Sequence, residues 1–312
     1  MGQLMTSHPD TKIRLGDLEL KNPVMTASGT FGYGSEFDPV IDLNLLGAIV
    51  VKGLSLKPMP GNPPPRIIET PSGMLNSIGL ANIGIKEFLD KKLPWLKNLD
   101  THTIVNIYGH SIDEYGELAK CLKGVDGVSA IEVNISCPNV EKGGLVFGKD
   151  PEISARVTET VVKNTDKPVI VKLTPNVTDI TVLAAAIEEA GATSLSLINT
   201  LTGMAVDIDT KRPVLANISG GLSGPAIKPV ALHMVYQVAK TVKIPVIGIG
   251  GIMDARDALE FLIAGASAVQ IGTASFVNPK TAINVINGIN AYCIEKGINN
   301  IREIIGSITI DK

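Results

Sequence analysis

The stretch AIEVNISCPN (residues 130–139) runs apolar and then ends in Asn134, Ser136, Cys137, Pro138 and Asn139. A buried strand has no use for that polar ending, so the thiol needs an explanation. A buried cysteine is most often a small hydrophobe, and that reading suits Cys121 in a helical stretch and Cys293 near the C-terminus. Cys137 differs, because it sits in a polar loop beside a proline. The three cysteines show no spacing for zinc, an iron–sulfur cluster or a disulfide framework, so no metal site is expected. A Cys–His hydrolase would need a histidine base, and His8, His102, His110 and His233 have no strand-end placement for it. The role left is a proton acceptor near a bound ring.

Other residues point toward the same place. Lys52 and Lys172 lie in or just beyond the apolar runs LNLLGAIVVKG (43–53) and PVIVKL (168–173). An unpaired buried ammonium is costly and needs an anionic partner. An acid such as Glu132 could pair structurally, but few acids follow the strands, so an anionic ligand is the expected partner. Asn106, Asn134 and Asn199 each carry donor and acceptor on one planar group, which suits the edge of a pyrimidine or isoalloxazine ring. Gly250 with Gly251, and Gly272 with Thr273, make two turns whose backbone N–H groups can approach an anion closely. Such turns can be merely tight connections; two of them after the last two strands point to phosphate.

A repeated unit positions these groups. An amphipathic helix, a glycine, a small residue and an apolar strand recur at 43–53, at 187–200 (IEEAGATSLSLINT) and at 261–273 (FLIAGASAVQIGT). Similar runs stand at 23–27, 103–107, 130–135, 168–173 and 244–249, which makes eight strands, with helices expected at about 178–190, 223–240 and 254–264. Eight βα units predict an α/β fold, a (β/α)₈ TIM barrel. The rival, an open doubly wound sheet, has no GxGxxG to support it, because GIGGIM (248–253) ends in methionine. Three connections are long: 53–100, 135–150 and 200–223. All three follow strands and so fall on the C-terminal face, where barrels place their sites.

The 312 residues suit one barrel, and 45% hydrophobic with 4% aromatic implies a core of Val, Ile, Leu and Ala. A net charge of −3 with scattered basic residues gives no argument for nucleic acid. No apolar run reaches the roughly 18–20 residues that span a bilayer, and the N-terminus lacks a signal-peptide core. A reducing, cytoplasmic location is expected.

GMLNSIGL (73–80), NISCPNVEKGG (134–144), VKLTPNVTDI (171–180), INTLTG (198–203), LANISGGLSGPAIKPVAL (215–232) and IPVIGIGGI (244–252) together carry a resemblance. Over nearly its whole length the chain resembles the dihydroorotate dehydrogenases, flavin-dependent (β/α)₈ barrels of pyrimidine biosynthesis. A cysteine at 137 is similar to the soluble class 1 enzymes; class 2 enzymes use serine there. NVEKGGLVFGKDP (139–151) and PPPRIIETPSGMLNSIGL (63–80) look like class 1B, the NAD-linked type, with the fumarate-reducing class 1A as the near alternative. VNIYGHS (105–111) and ANIGI (81–85) depart from the family wording.

The resemblance implies one FMN-binding barrel domain over 1–312. FMN would meet Ser28, Gly29, Lys52, Gly53, Asn106, Asn134, Lys172, Ile198, Gly224, Gly250, Gly251, Gly272 and Thr273. Substrate would meet Lys52, Asn76, Ser77, Ile78, Gly79, Leu80, Asn134, Asn199 and Thr200. Cys137 would take a proton from the ring carbon beside the carbonyl while hydride leaves the neighbouring carbon. The family also implies a homodimer that joins a subunit carrying FAD and a [2Fe–2S] cluster into a heterotetramer. Two other readings stand beside it: another FMN-barrel oxidoreductase acting on a different pyrimidine or a tRNA uridine, and a non-catalytic flavin- or phosphate-binding barrel.

Overall fold

A computed structural model describes residues 9–136 and 147–310. Eight parallel strands close into a barrel: β1 (Val24–Thr26), β2 (Ala48–Val50), β3 (His102–Ile107), β4 (Ala130–Asn134), β5 (Val169–Lys172), β6 (Ser194–Leu197), β7 (Val246–Ile249) and β8 (Ala268–Ile271). Each pairs with its neighbours in sequence, and β8 closes onto β1 through Val269 opposite Val24 and Ile271 opposite Thr26. The eight strands fall in the eight expected runs. Their Val, Ile and Ala residues are buried, as a sheet covered by helices requires.

Around the barrel lie α1 (Ile112–Leu122), α2 (Pro151–Asn164), α3 (Ile180–Glu189), α4 (Lys228–Thr241), α5 (Ala255–Ala264) and α6 (Thr281–Lys296). Ser111, Asp150, Asp179 and Asp254 cap α1, α2, α3 and α5, each accepting hydrogen bonds from backbone N–H groups of the first turn. The pattern is less regular than eight identical units. Between β1 and β2 the chain makes only a 3₁₀ turn, Leu43–Leu45. Gly32 and Gly34 take positive φ there and Pro39 follows, so no helix can propagate; instead Phe31 and Phe37 stack at 3.9 Å.

Residues before β1 add a hairpin, Ile13–Leu15 with Leu18–Leu20, absent from the sequence expectation. Its inward leucines are buried, and Glu19 O lies 2.8 Å from His102 Nε2 at the start of β3, so the hairpin sits at the N-terminal end of the barrel. Two of the long connections, after β2 and after β6, meet over the opposite end. They form one antiparallel sheet in the order Leu201–Met204, Ser219–Ser223, Gly73–Asn76, Ile67–Thr70. Among the described residues no helix is long and apolar enough to cross a membrane. One cysteine expectation fails: Cys121 is exposed on α1, whereas Cys293 is buried as expected.

Candidate active site

A cavity of about 680 Å³ opens between the C-terminal strand ends and the antiparallel sheet. All the described residues named above as flavin or substrate contacts line it. Cys137 lies outside the described residues; its neighbour Ser136 lines the cavity. None of the described histidines does, and His102 is committed to Ser129 and Glu19 at the other end of the barrel.

Register brings the polar groups together. Asn106 of β3 is opposite Glu132 of β4, and Asn134 of β4 is opposite Lys172 of β5. The Glu132 carboxylate, wholly buried in the barrel, accepts hydrogen bonds from Asn106 Nδ2 (2.6 Å), Gln270 Nε2 (2.7 Å) and Ser196 Oγ (2.9 Å). Lys172 Nζ lies 4.0 Å from the same carboxylate and 3.5 Å from Ser28 Oγ. So for Lys172 the structural ion pair exists, and the expectation that a ligand alone would supply its partner is corrected. The sequence offered Glu132 as a possible partner but ranked a ligand above it, because Glu132 stands inside an apolar run whose inward face only barrel closure reveals.

Lys52 is different. No carboxylate occurs among the described residues lining the cavity. Burial pulls the Lys52 ammonium below its usual lysine range, and the Arg66 guanidinium nearby pushes the same way. A Cβ added at Gly29 would meet only Lys52 Nζ, at 3.9 Å, so the ammonium reaches over that turn. This corner of the cavity asks for an anion.

The antiparallel sheet supplies neutral groups. Asn62 fixes the 76–80 stretch by donating from its backbone N–H to Ile78 O (2.9 Å) and from Nδ2 to Ser77 O (2.9 Å). Tyr108 Oη donates to Leu80 O (2.9 Å). Asn199 Nδ2 donates to Asn134 Oδ1 (3.3 Å), joining β6 to β4, and Asn176 Nδ2 donates to Thr200 O (3.1 Å). Thr273 Oγ1 donates to Ser223 Oγ (2.8 Å), tying the turn after β8 to the sheet. Asn62, Thr174, Asn176, Thr202 and Ser219 also line the cavity and were not singled out from the sequence. Asn176 lies in the quoted VKLTPNVTDI run, and its position directly after a strand-end Thr174-Pro175 was the available signal.

Comparison with known proteins gives a consistent picture. The family model described as dihydroorotate dehydrogenase matches residues 11–293. The chain is 59% identical to the catalytic subunit of dihydroorotate dehydrogenase B (NAD(+)) from Citrifermentans bemidjiense, over 97% of this chain and 99% of that protein. It is 57% identical to the catalytic subunit of the same name from Geotalea daltonii, again over 97% and 99%. The Thermoanaerobacter sp. (strain X514) protein of that name is 59% identical over 96% of this chain and 99% of its own length. With a fold, a cavity and a match that all span the barrel, the chain belongs to the dihydroorotate dehydrogenase family.

Proposed function

We propose that this chain is a single FMN-binding barrel domain. It oxidises (S)-dihydroorotate to orotate in the cytoplasm, within pyrimidine (UMP) biosynthesis, as the catalytic subunit of an NAD-linked enzyme. The observation that carries the reading is the composition of one cavity: two lysines, three strand-end asparagines and two glycine turns, with no carboxylate among its described lining.

The residues suit a flavin. Asn106 spends its Nδ2 on Glu132, and among the described residues its buried Oδ1 has no hydrogen-bond partner. A buried acceptor left unpaired is costly, so a ligand N–H such as that of an isoalloxazine ring would complete it. Gly53 keeps that acceptor open, since a Cβ there would sit 2.7 Å from Asn106 Oδ1. At Gly272 an added Cβ would have nothing nearer than Ala27 Cβ at 3.5 Å, so its backbone faces room that a phosphate could fill. Bound flavin would supply the acceptor for the hydride, and with it the two electrons, that leaves the substrate ring.

The chain's own groups divide the remaining work. Lys52 holds the carboxylate of the substrate through charge. Asn134, Asn199, Thr200 and residues 76–80 fix the ring's orientation by hydrogen bonds. Cys137 takes the proton from the carbon beside the carbonyl, and Lys172 places positive charge beside the flavin. NAD reduction belongs to a partner subunit that carries FAD and a [2Fe–2S] cluster, with two copies of each chain in a heterotetramer; the relatives' description as a catalytic subunit supports the partner itself.

The test is anaerobic. The purified chain is expected to be yellow, to release FMN on denaturation and to bleach when dihydroorotate is added. Alone it should reduce artificial acceptors but reduce NAD poorly. A colourless chain, or a yellow one indifferent to dihydroorotate, would refute the reading. Brisk fumarate reduction would instead assign it to class 1A.

A further inference from the structure

Glu132 is the only described acid inside this part of the barrel's hydrogen-bond network, and it does not line the cavity. Its carboxylate touches the cavity through two residues that do, Asn106 and Lys172. The other two partners, Ser196 and Gln270, lie below and do not line it. A carboxylate can only accept hydrogen bonds, so Asn106 must turn its N–H₂ toward Glu132. Its Oδ1 is then left on the side of Gly53, which does line the cavity. The Lys172 side chain is 6% exposed and the Glu132 side chain 0%, so each charge has little water to screen it, and among the described residues they form an ion pair at 4.0 Å.

We infer that Glu132 is a positioning residue: it aims the Asn106 carbonyl into the cavity and offsets the charge of Lys172, and thereby sets how readily a bound flavin is reduced. This rests on the flavin reading above. The charge argument has a definite sign. Reduction places electron density on the ring system, which Lys172 favours and Glu132 opposes. A glutamine at 132 keeps the shape and can still present its carbonyl to Asn106 and Lys172. Its amide can donate to Ser196 Oγ and to a rotated Gln270, whose Oε1 has no partner among the described residues. The network survives; the charge does not.

The experiment is an anaerobic reductive titration of the flavin-loaded full chain against a reference dye. Glu132→Gln should raise the ratio of reduced to oxidised flavin at fixed dye potential by about tenfold, equivalent to about 30 mV for a two-electron couple. Lys172→Met should lower it by a similar factor, and the double variant should lie between the two. Ser196→Ala removes a hydrogen bond from the same carboxylate without removing charge, so it should lower the thermal midpoint and leave the ratio unchanged. If Glu132→Gln does not accumulate as folded protein, the step is read in the Lys172→Met background, where removing the acid relieves an unpaired buried charge and should also raise thermal stability. A yellow, folded chain whose ratio ignores residue 132, or moves with the sign of Lys172→Met, overturns this inference and leaves the flavin reading standing. A chain that takes up no flavin overturns both.

Discussion

The cavity has two walls made in different ways. One is the ring of strand ends, where register with the next strand fixes each side chain: Asn106 beside Glu132, Asn134 beside Lys172. The other is the antiparallel sheet built from two connections far apart in sequence, 67–76 and 201–223. Both cavity lysines stand on the first wall, while the second offers neutral groups such as Asn76, Ser77, Thr202 and Ser219. A closed barrel can hold buried charge at defined depth, because every neighbour of a strand is another strand. On the proposed function, the strand wall carries the charge that acts on flavin and carboxylate, and the sheet wall joins Asn134 and Asn199 in selecting the ring.

The largest expected effect falls on Cys137, which lies outside the described residues. Cys137→Ala should keep flavin and substrate binding but slow flavin reduction by about 10²–10⁴-fold, the usual worth of a general base. Stopped-flow single turnovers with dihydroorotate decide it. A near-normal rate would move the proton transfer onto one of the two walls.

Next comes the strand wall. Gly272→Val adds bulk where the protein itself leaves space, so folding should hold. Flavin affinity should drop about thirtyfold, as expected for losing about 2 kcal/mol of charge-assisted hydrogen bonding to an anion. Gly251 is a poorer probe, because at φ +71° its added Cβ would meet Gly224 O at 2.8 Å and Lys228 N at 2.9 Å. Gly251→Val should lower the thermal midpoint even without ligand. Equal flavin affinity in Gly272→Val and the parent, measured by fluorescence quenching, would take the phosphate away from the turn after β8.

The sheet wall should respond in the opposite way. Gly221 pairs with both Thr202 and Asn76, and a Cβ there would collide with the Thr200 side chain. Overpacking of this kind costs about 1–3 kcal/mol. In Gly221→Val the KM for dihydroorotate should rise about tenfold while flavin affinity stays put. If flavin is lost and KM is kept, the division of labour between the walls is wrong.

The strand wall was legible in the sequence and the sheet wall was not. A glycine, a small residue and a β-branched run mark a barrel strand locally, and barrel closure then brings every strand end to one mouth, so Lys52, Asn106, Asn134 and Lys172 could be grouped before any coordinates. Pairing Gly221 with Asn76 joins residues far apart in sequence and is specified by no local pattern. GMLN and LTGM read as loop because glycines interrupt their alternation. Glu132 fell between the two cases. A charge in a run destined for burial must have partners, but which partners depends on four other strands. Cys121 shows the converse limit: a cysteine within a helix was taken as buried, yet helix phase puts it on the outer face.

The smallest effect concerns the two lysines of the strand wall, which differ in what faces them. Lys172 has Glu132; Lys52 has Arg66 nearby and no described carboxylate in the cavity lining. Burial first and the Arg66 charge second lower the Lys52 pKa. The sign follows. In the free site the charged ammonium is disfavoured, and an incoming carboxylate favours it, so binding holds the proton more tightly than the free chain does. Orotate affinity should be flat at low pH and fall as pH rises through the lowered Lys52 pKa, earlier than an ordinary lysine near ~10.4 would allow. A decline of a few-fold that sets in below the ordinary lysine range is expected, read from the perturbation of the flavin spectrum by orotate. Lys52→Arg keeps a charge that does not titrate in this range, so its affinity should be weaker but flat with pH. The same alkaline decline in Lys52→Arg would assign the titration to another group and remove Lys52 from the carboxylate.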